Sequence, residues 1–483
     1  VFDEHGLAHV VLRGGGAIAT IDPKSASLVA RRAVCPAPRG IDYDAVTDSL
    51  YVACATGELV TLPSSGPVSR VVRLDRDLRD VVVLPDKLVV TRFRSAERLV
   101  VDATGSITSR ATPLATTQPT YTSMSPDVAW RTIADGKGDT VMLHQLAATD
   151  PLVVLPQQTY YASTGTPISA TAIAAGATPS TVLAVEEGID VTRAADGTVE
   201  VLSLTGSVQI GANGQSLYGS DLVSLEGPSY YGATADNSYQ YIGIDDGGRI
   251  DVPYKVVQRR IPTAALLVFG DSFQTPIAMV ALPQKQSHAD TGFDIFHIPT
   301  IVGSACMTCH PEGADDGHTW KFSIGGKVEA RRTQSLRGGV VTDTAPYHWS
   351  GEMADFSALT NDVFSGRMSG PPLEPTQTAA LSVWVDRLPA PVAPAPSDSS
   401  SVAHGKQVFD AAQCGTCHGG ARFTNNETVD VGTGARFQVP SLVGVGYRAP
   451  YLHVGCAATL ADRSTSACGG NALGDLSGLT TDD

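Results

Sequence analysis

Short apolar runs alternate with turn residues through the first 285 residues of the chain. Examples lie at residues 49–53, 58–62, 80–84 and 98–102, and each is about as long as a single strand. Long amphipathic helices are hard to find in this part of the sequence. The pattern therefore predicts a region built from many short β-strands.

This β-rich region carries a loose repeat. One unit opens at Arg39, the next at Arg79 and a third at Pro126, at spacings of 40 and 47 residues. Each opening is followed by a strand, a turn and another strand, which is typical of a propeller blade. At about 41 residues per blade, residues 1–287 predict an all-β propeller of roughly seven blades, with degenerate later units near residues 180–200 and 230–256. Its histidines His5, His9 and His144 are isolated and indicate no catalytic site. We therefore interpret the propeller as a platform for docking or for covering a haem face; an independent substrate-binding site is the alternative, although no residue points to it.

The pattern changes to helical periodicity near the carboxyl end. Residues 290–297 and 401–413 predict two short helices, and residues 390–401 form a Pro/Ala/Ser-rich linker. A further helix is predicted from one apolar face, made by Ala380, Leu381, Trp384, Val385 and Leu388. This part of the chain is therefore expected to be mainly α.

Each of the two lead-in helices precedes a C-x-x-C-H motif. The motifs are Cys306, Cys309 and His310, and Cys414, Cys417 and His418. In this signature two cysteines bind a c-type haem through thioethers, and the histidine is the proximal ligand of the iron. A zinc or redox C-x-x-C pair is the alternative, although neither explains the following histidine. The motifs predict two covalently bound haem c groups, here called haem 1 (His310) and haem 2 (His418).

The two haem motifs belong to an internal repeat. Each is followed by a Ser-Leu pair, at Ser335 and Ser441, and then by an Ala-Pro-Tyr motif, at residues 345–347 and 449–451. The matching order predicts two mainly α cytochrome c domains, at residues 288–389 and 402–483. The full predicted order is a propeller, a first cytochrome domain, the linker at 390–401 and a second cytochrome domain.

These paired motifs resemble the bacterial di-haem cytochrome c peroxidase superfamily, which includes the di-haem enzyme that matures methylamine dehydrogenase. The resemblance runs from about residue 290 to the end. It implies that haem 1 is a peroxide site and that haem 2 receives electrons. Trp349 matches the tryptophan between the two haems, with an ordinary core residue as the alternative. A calcium ion between the domains is also implied, with backbone carbonyl ligands near Arg448 and Pro450.

The distal side of haem 1 is less defined. Met368 lies where the family has a Glu-Met pair, so it is a candidate iron ligand, and Arg367 takes the glutamate position. An arginine cannot act as a base, but it can stabilise a developing anion. A core role for Met368 is the alternative, and His318 and His348 are the other candidate ligands.

The second domain lacks any methionine after Met368, so a methionine ligand for haem 2 is excluded. His453 is the first candidate for its sixth ligand, followed by Tyr451 and Tyr447. The alternative role for His453 is a hydrogen bond to a haem propionate or to the backbone.

Charge and cysteine usage indicate the compartment and the partners. The formal charge of −15 excludes nucleic-acid binding and suits a redox partner with a cationic patch. The sequence has no apolar run of 18 residues, so no transmembrane segment is predicted. The four remaining cysteines form local pairs, Cys35 with Cys54 and Cys456 with Cys468, and predict two disulfides, with free buried thiols as the alternative.

Together these features predict an exported protein, periplasmic or at the cell surface. The start at Val1 suggests a trimmed form, and residues 479–483 resemble the cap of a helix that continues beyond them. We carry three functional hypotheses: a peroxidase-like enzyme acting on hydrogen peroxide, an electron carrier with two six-coordinate haems, and a binding protein whose propeller docks a redox partner.

Overall fold

A computed structural model gives the fold. It describes residues 1–113, 115–117, 123–134, 140–154, 305–324, 327–368, 370–391, 399–464 and 468, with separate strands between 191 and 281 and a helix at 291–297. The chain forms two compact units. Unit 1 comprises Val1–Asp150 and Thr171–Thr308, and unit 2 comprises Pro151–Ala170 and Cys309–Asp483. The predicted boundaries at 287, 389 and 401 stay predictions.

Unit 1 consists mainly of antiparallel sheets. Its strands up to residue 150 are β1 (Ala8–Leu12), β2 (Ala17–Asp22), β3 (Ser27–Ala33), β4 (Pro38–Asp44), β5 (Ser49–Cys54), β6 (Glu58–Pro63), β7 (Arg70–Arg73), β8 (Leu78–Leu84), β9 (Lys87–Arg92), β10 (Arg98–Val101), β11 (Ile107–Ala111), β12 (Thr116–Thr117), β13 (Ser123–Ala134) and β14 (Thr140–Ala148). Strands β4 to β7 form one four-stranded sheet and β8 to β11 another, each in sequence order, while β1 to β3 form a three-stranded sheet.

The remaining strands of unit 1 are shorter. Strand β15 (Leu152–Val154) comes next in the chain but belongs to unit 2. The strands of unit 1 that follow it are β16 (Val191–Arg193), β17 (Val199–Leu202), β18 (Ser207–Ile210), β19 (Gln215–Tyr218), β20 (Leu222–Leu225), β21 (Ser229–Gly232), β22 (Ile242–Asp245), β23 (Lys255–Arg259), β24 (Ala265–Phe269) and β25 (Ala278–Ala281). Helix α1 (Thr291–His297) follows them.

The last strand of each four-stranded sheet is the exposed one, while the three strands before it contribute the buried residues. Strand β8 is buried at most positions, whereas β7 and β11 are largely exposed. The predicted unit openings at Arg39, Arg79 and Pro126 lie on strands β4, β8 and β13, of which β4 and β8 are the first strands of their sheets. A sheet with a buried first strand and a solvated last strand is the arrangement expected of a propeller blade.

Adjacent sheets approach each other closely at their first strands. A Cβ atom on Gly40 of β4 would lie 2.5 Å from the Cα atom of Asp80 on β8. Asp42 on β4 accepts a hydrogen bond from the Val83 backbone N–H at 2.7 Å. Asp80 in turn accepts one from the Thr132 backbone N–H of β13, also at 2.7 Å. The inner strands of successive sheets are therefore joined by the same kind of contact.

The first disulfide lies in this region. Cys35 and Cys54 are bonded across a separation of 19 residues, and Cys54 is fully buried among Ile18, Leu50 and Val52. The predicted pairing is thus present. Closing such a loop limits the unfolded chain and typically adds about 2–4 kcal/mol of stability.

Unit 2 mixes short helices with two hairpins. Its strands are β15, β26 (Thr319–Ile324), β27 (Lys327–Arg332), β28 (Thr428–Asp430) and β29 (Arg436–Gln438). Helix α2 (Cys306–Cys309) begins in unit 1 and ends at the first residue of this segment of unit 2. The helices that follow are α3 (Val340–Asp343), α4 (Phe356–Leu359), which continues into a π-helix (Thr360–Arg367), α5 (Pro375–Asp386) and α6 (Ser399–Ala411). Single 3-10 turns lie at Cys414–Thr416, Val445–Tyr447 and Ala461–Ser464.

The predicted helix on the Leu381 face is present as α5. Pro375 stands at its first turn, and Glu374 and Gln377 form a capping box that satisfies the free backbone groups there. Leu381, Trp384 and Val385 are its buried apolar residues. Just beyond its end, Leu388 packs where a Cβ atom on Gly313 would lie, 2.5 Å from the Leu388 Cδ1 atom. The helix therefore supports the turn that follows the first haem motif.

The N-terminal region is a set of β-sheets, as predicted. Seven blades stay a prediction, and so do the two cytochrome c domains as folds. The unit openings near 180–200 and 230–256 fall largely outside the described residues, as do most of the linker and the carboxyl-terminal cap at 479–483. Within the part of the chain that the structure describes, no helix has the length and apolarity needed to cross a membrane.

Candidate haem-attachment sites

The first motif is one helical turn followed by its histidine. Helix α2 holds Cys306 and Cys309, and the ring of His310 follows directly. His310 Nδ1 lies 3.2 Å from the carbonyl oxygen of Ala314, four residues further on. Because a carbonyl oxygen only accepts, Nδ1 carries the proton and Nε2 is left to bind a metal.

The second motif reproduces this arrangement. Cys414 and Cys417 lie on a 3-10 turn and its cap, and His418 Nδ1 is 3.0 Å from the carbonyl oxygen of Phe423. Two histidines from separate parts of the sequence are thus oriented through the same ring nitrogen by a backbone carbonyl. This is the usual way in which a protein fixes the tautomer of a metal-binding histidine.

Both histidines are held in the neutral form. Burial lowers the pKa of His310 to about 4, and burial also lowers the pKa of His418. A neutral imidazole is the form that ligates a metal. None of Cys306, Cys309, Cys414 and Cys417 forms a disulfide, so their sulfur atoms are available for thioether bonds. The donor set at each motif fits a covalently bound haem.

The two Ala-Pro-Tyr loops have the same backbone. The Ala345–Pro346 and Ala449–Pro450 peptides are both cis. The second residue after the proline has a left-handed φ in each loop, 67° at His348 and 68° at Leu452. Both tyrosines also form an isolated bridge six residues on, Tyr347 with Met353 and Tyr451 with Ala457. The sequence repeat is therefore a structural repeat.

The two repeats exchange hydrogen bonds. The Arg332 N–H, at the end of the hairpin β26–β27, donates to His453 O at 2.8 Å. The Gln438 N–H, at the end of the hairpin β28–β29, donates to Trp349 O at 2.7 Å. Each hairpin thus binds the Ala-Pro-Tyr loop of the other repeat. This reciprocity gives unit 2 an approximate two-fold symmetry.

Trp349 and His453 occupy equivalent positions and lie side by side. Their ring centroids are 6.3 Å apart at 66°. The Trp349 indole N–H donates to Arg332 O at 2.5 Å, and His453 stacks on Phe437 at 3.7 Å. Arg331 covers the Phe437 ring at 5.2 Å. An aromatic contact therefore connects the two repeats where they exchange hydrogen bonds.

His453 itself is buried, and burial lowers its pKa to about 4. Its Nε2 lies 3.5 Å from the hydroxyl of Thr433. Ligation of haem 2 by His453 stays a prediction. The ring of His453 contacts Phe437 of its own repeat and Trp349 of the other, so it lies where the two repeats meet. Tyr451, the next candidate, is buried in a cluster with Ala449 and Cys468. This cluster includes the second predicted disulfide, Cys456–Cys468, which is present.

The first repeat has a set of hydrogen-bonded polar side chains that the second repeat lacks. His348 Nδ1 lies 2.8 Å from Glu352 Oε1, and the Ser350 hydroxyl donates to Glu352 Oε2 at 2.5 Å. Burial opposes ionisation of Glu352, but these two hydrogen bonds outweigh it and lower the pKa of Glu352 to about 2. The equivalents of His348 and Glu352 in the second repeat are Leu452 and Cys456.

Met368 and Arg367 end the π-helix. Met368 is half-buried and its N–H donates to Val363 O at 2.8 Å, an i to i−5 bond. Single π-turns are often found at functional sites. Arg367 Nη2 lies 2.6 Å from Asp362 on the same helix, and both side chains are substantially exposed. Met368 as a ligand and Arg367 as an anion-stabilising residue stay predictions, as does the calcium ion near Arg448 and Pro450.

A buried acidic pair behind haem motif 1 was not singled out from the sequence. Asp315 and Asp316 are 1% and 0% exposed. Asp315 pairs with Arg332 at 2.7 Å, and Asp316 Oδ2 accepts from the Trp320 indole N–H at 3.0 Å. Two consecutive acidic residues, five and six positions after the histidine of a C-x-x-C-H motif, were the available signal, but their burial depends on the hairpin β26–β27. The described residues, those of the haem motifs included, contain no group of three or more His, Cys, Asp or Glu side chains placed to hold a metal ion.

Comparisons with known proteins give low similarity. No protein-family model matches the sequence, and no curated protein matches it. Among solved structures, hydrazine synthase of Kuenenia stuttgartiensis is 19% identical over 41% of this chain and 85% of its own, with a TM-score of 0.36. The dihydro-haem d1 dehydrogenase NirN is 12% identical over 58% and 74%, with a TM-score of 0.29. A MauG-like protein associated with microbial copper homeostasis is 17% identical over 37% and 73%, with a TM-score of 0.30.

Proposed function

We propose that this chain is an exported di-haem c-type oxidoreductase that passes electrons from haem 2 to haem 1. The observation that supports the proposal is that His310 and His418 have the same local environment. Each follows a C-x-x-C pair, and each is oriented by a hydrogen bond from Nδ1 to a backbone carbonyl. Haem bound at these residues would supply one-electron iron chemistry.

The chain's own contribution is to hold and connect the two attachment sites. The reciprocal hydrogen bonds of Arg332 and Gln438 fix the two Ala-Pro-Tyr loops against each other. They place Trp349 and His453 in ring contact at the junction of the repeats. A rigid aromatic contact of this kind shortens the path between two redox sites without any movement of the backbone.

A Trp349→Leu variant tests this path. Loss of the indole removes the ring contact with His453, so electron equilibration between the haems should slow by at least about tenfold, equivalent to a rise of roughly 1.4 kcal/mol in the barrier. Rapid reduction with less than one electron per protein, followed at the absorption bands of both haems, measures this rate.

Trp384→Leu is the matched control, because it removes another tryptophan of unit 2 that belongs to helix α5. It should leave the equilibration rate unchanged in the folded protein. Equal rates for unaltered protein and Trp349→Leu would exclude a role for Trp349 in the path.

Two versions of this function differ at haem 1. The pair of His348 and Glu352, present only in the first repeat, favours the peroxidase-like version, because an oriented histidine can transfer protons to and from a bound oxidant. The pairing of Arg367 with Asp362 favours the electron-carrier version, because the position of the family's glutamate is taken by a cation that is already paired.

Absorption spectra in both oxidation states, with and without cyanide and hydrogen peroxide, test the proposed function and separate its versions. We expect two c-type haems, with a high-spin ferric band at haem 1 that shifts on addition of cyanide. Two low-spin haems that ignore cyanide in both oxidation states would establish the carrier version and exclude the peroxidase-like one. Purified native protein with no covalently bound haem would contradict both.

Compartment and partner follow from the same proposal. The two disulfides favour an oxidising compartment, and covalent haem attachment takes place outside the cytoplasm. Both support a periplasmic or cell-surface location. The formal charge of −15 complements a redox partner that carries a cationic patch. We propose that the β-sheet region of unit 1 docks this partner.

A further inference from the structure

We propose that Phe437 is a positioning residue for electron transfer between the two haems, because it holds the ring of His453 in contact with Trp349. The inference rests on the proposed function, since it takes the contact of these two rings as part of the electron path. It adds a residue outside the C-x-x-C-H and Ala-Pro-Tyr motifs, and it includes Arg331, whose side chain lies over the Phe437 ring.

Phe437 and Arg331 occupy equivalent positions in the two hairpins. Each directly precedes the residue whose N–H binds the loop of the other repeat, Gln438 on β29 and Arg332 on β27. The guanidinium carbon of Arg331 lies 5.2 Å from the centroid of the Phe437 ring, a distance at which a cation is attracted to an aromatic face. Arg331 is itself paired with Glu329 at 2.7 Å. The repeats therefore meet through two contacts between equivalent positions, one between the loops and one between the hairpins.

The two rings of the loop contact are held in different ways. The indole N–H of Trp349 donates to Arg332 O at 2.5 Å, which fixes the plane of the indole. The polar contact of the His453 ring, from Nε2 to the Thr433 hydroxyl, is 3.5 Å long and lies at the limit of a hydrogen bond. Phe437 supplies the close contact instead, with ring centroids 3.7 Å apart and an interplanar angle of 23°. Stacking therefore sets the plane of His453.

Phe437 is firmly placed for this role. Its side chain is 4% exposed. The next residue, Gln438, binds the first repeat twice: its N–H donates to Trp349 O at 2.7 Å, and its side-chain amide donates to Thr344 O at 2.9 Å. The strand that carries Phe437 is thus bound to the loop that carries Trp349. A shift of one would move the other with it, so the stacked ring keeps its place relative to the indole.

The orientation of His453 matters because an unpacked histidine ring turns easily. Its second side-chain torsion has a broad energy profile, so packing has to select one orientation. Rotation would change the 6.3 Å separation of the His453 and Trp349 centroids and their angle of 66°. At a contact that takes part in a reaction, a displacement of about 1 Å can cost about two orders of magnitude in rate. Phe437 prevents this rotation.

The rate of electron equilibration between the haems, in the complete haem-loaded protein, tests the proposal. Phe437→Leu keeps an apolar side chain but removes the stacked ring, so the rate should fall by about tenfold. Phe437→Tyr keeps the ring and should restore the unaltered rate. A folded Phe437→Leu protein with the unaltered rate would overturn the proposal, and so would a Phe437→Tyr protein as slow as Phe437→Leu.

Phe356→Leu is the matched control. The Phe356 ring also contacts an Ala-Pro-Tyr loop, since it lies edge-to-face with Tyr347 at 6.2 Å, but it belongs to helix α4. Its replacement should leave the equilibration rate unchanged. A rate as low as that of Phe437→Leu would show that any lost ring near these loops has the same effect, which contradicts a specific role for Phe437.

A double variant separates positioning from general support of the fold. In Trp349→Leu the contact with His453 is already lost, so the addition of Phe437→Leu should slow equilibration no further. Two residues that act through one contact are non-additive in this way. Additive losses in the double variant would show that Phe437 acts independently of Trp349 and would overturn the proposal.

Crystal structures of the haem-loaded protein supply a readout that does not depend on rates. In the unaltered protein the His453 ring should stack on Phe437 and contact Trp349, and in Phe437→Leu it should turn away from Trp349. An iron atom bound to His453 in the unaltered protein would assign the orientation of the ring to the metal. That result would overturn the proposal even if no variant folds.

The single variants also separate this inference from the proposed function. Missing covalent haem, or an equilibration rate that Trp349→Leu leaves unchanged, contradicts the electron path itself. A rate that is lowered by Trp349→Leu but not by Phe437→Leu contradicts the role of Phe437 alone.

Discussion

A Cys306→Ser, Cys309→Ser double variant is expected to purify with half of the covalently bound haem of the unaltered protein. Serine preserves the size and polarity of the side chains but cannot form a thioether, so haem 1 should be lost while His418 and its cysteines keep haem 2. Intact mass under denaturing conditions should fall by one haem, and the pigment that survives denaturation should fall by half.

The control for this experiment is Cys35→Ser with Cys54→Ser. It also removes two cysteines, but they form the disulfide of unit 1, so both haems should remain. A C-x-x-C variant that still carries two covalent haems would show that the first motif is not an attachment site. In that case the assignment of haem 1 would lose its basis.

The second large effect is expected at the buried ion pair of Asp315 and Arg332. Their side chains are 1% and 5% exposed, and the Oδ1 and Nη2 atoms are 2.7 Å apart. Asp315→Ala would leave the guanidinium buried without its carboxylate, which typically costs about 3–5 kcal/mol. Arg332 also binds His453 and Trp349 through its backbone, so the contact between the repeats should weaken as well. Denaturant unfolding followed by tryptophan fluorescence measures the free energy of unfolding.

Asp410→Ala is a suitable comparison, because Asp410 pairs with Lys406 at 2.5 Å on an exposed helix face. Its removal should change the free energy of unfolding by no more than about 0.5 kcal/mol. A double variant, Asp315→Leu with Arg332→Met, should recover part of the loss, since a buried ion pair can often be replaced by apolar side chains. Equal stabilities of Asp315→Ala and Asp410→Ala would contradict the structural role of the pair.

Much of the architecture could be predicted because its signals are local. The strands of unit 1 follow from apolar runs between turn residues, and helix α5 follows from its apolar face and the proline at its first turn. The disulfides could be predicted because their cysteines are only 19 and 12 residues apart. The C-x-x-C-H motifs are five residues long and carry their chemistry in their own spacing.

The features that the sequence did not reveal depend on distant contacts. Arg332, at the end of one hairpin, meets His453 in the Ala-Pro-Tyr loop of the other repeat, and the repeat pattern alone gives no indication of this contact. The burial of Asp316 depends on Trp320 and Thr333 closing over it, whereas acidic residues after a motif are usually solvated. Trp349 and His453 occupy the same position after their Ala-Pro-Tyr motifs, so the sequence alone could have shown that they are equivalent. Because one is a tryptophan and the other a histidine, their equivalence was not noticed.

The reciprocal hydrogen bonds between each hairpin and the loop of the other repeat have a consequence for the two sequences. A contact in which residue A binds residue B, and the counterpart of A binds the counterpart of B, is the geometry of an isologous interface between identical subunits. In unit 2 a single chain supplies both halves of such a contact, so the two equivalent positions need not be identical. A tryptophan at one of them, Trp349, accordingly faces a histidine at the other, His453.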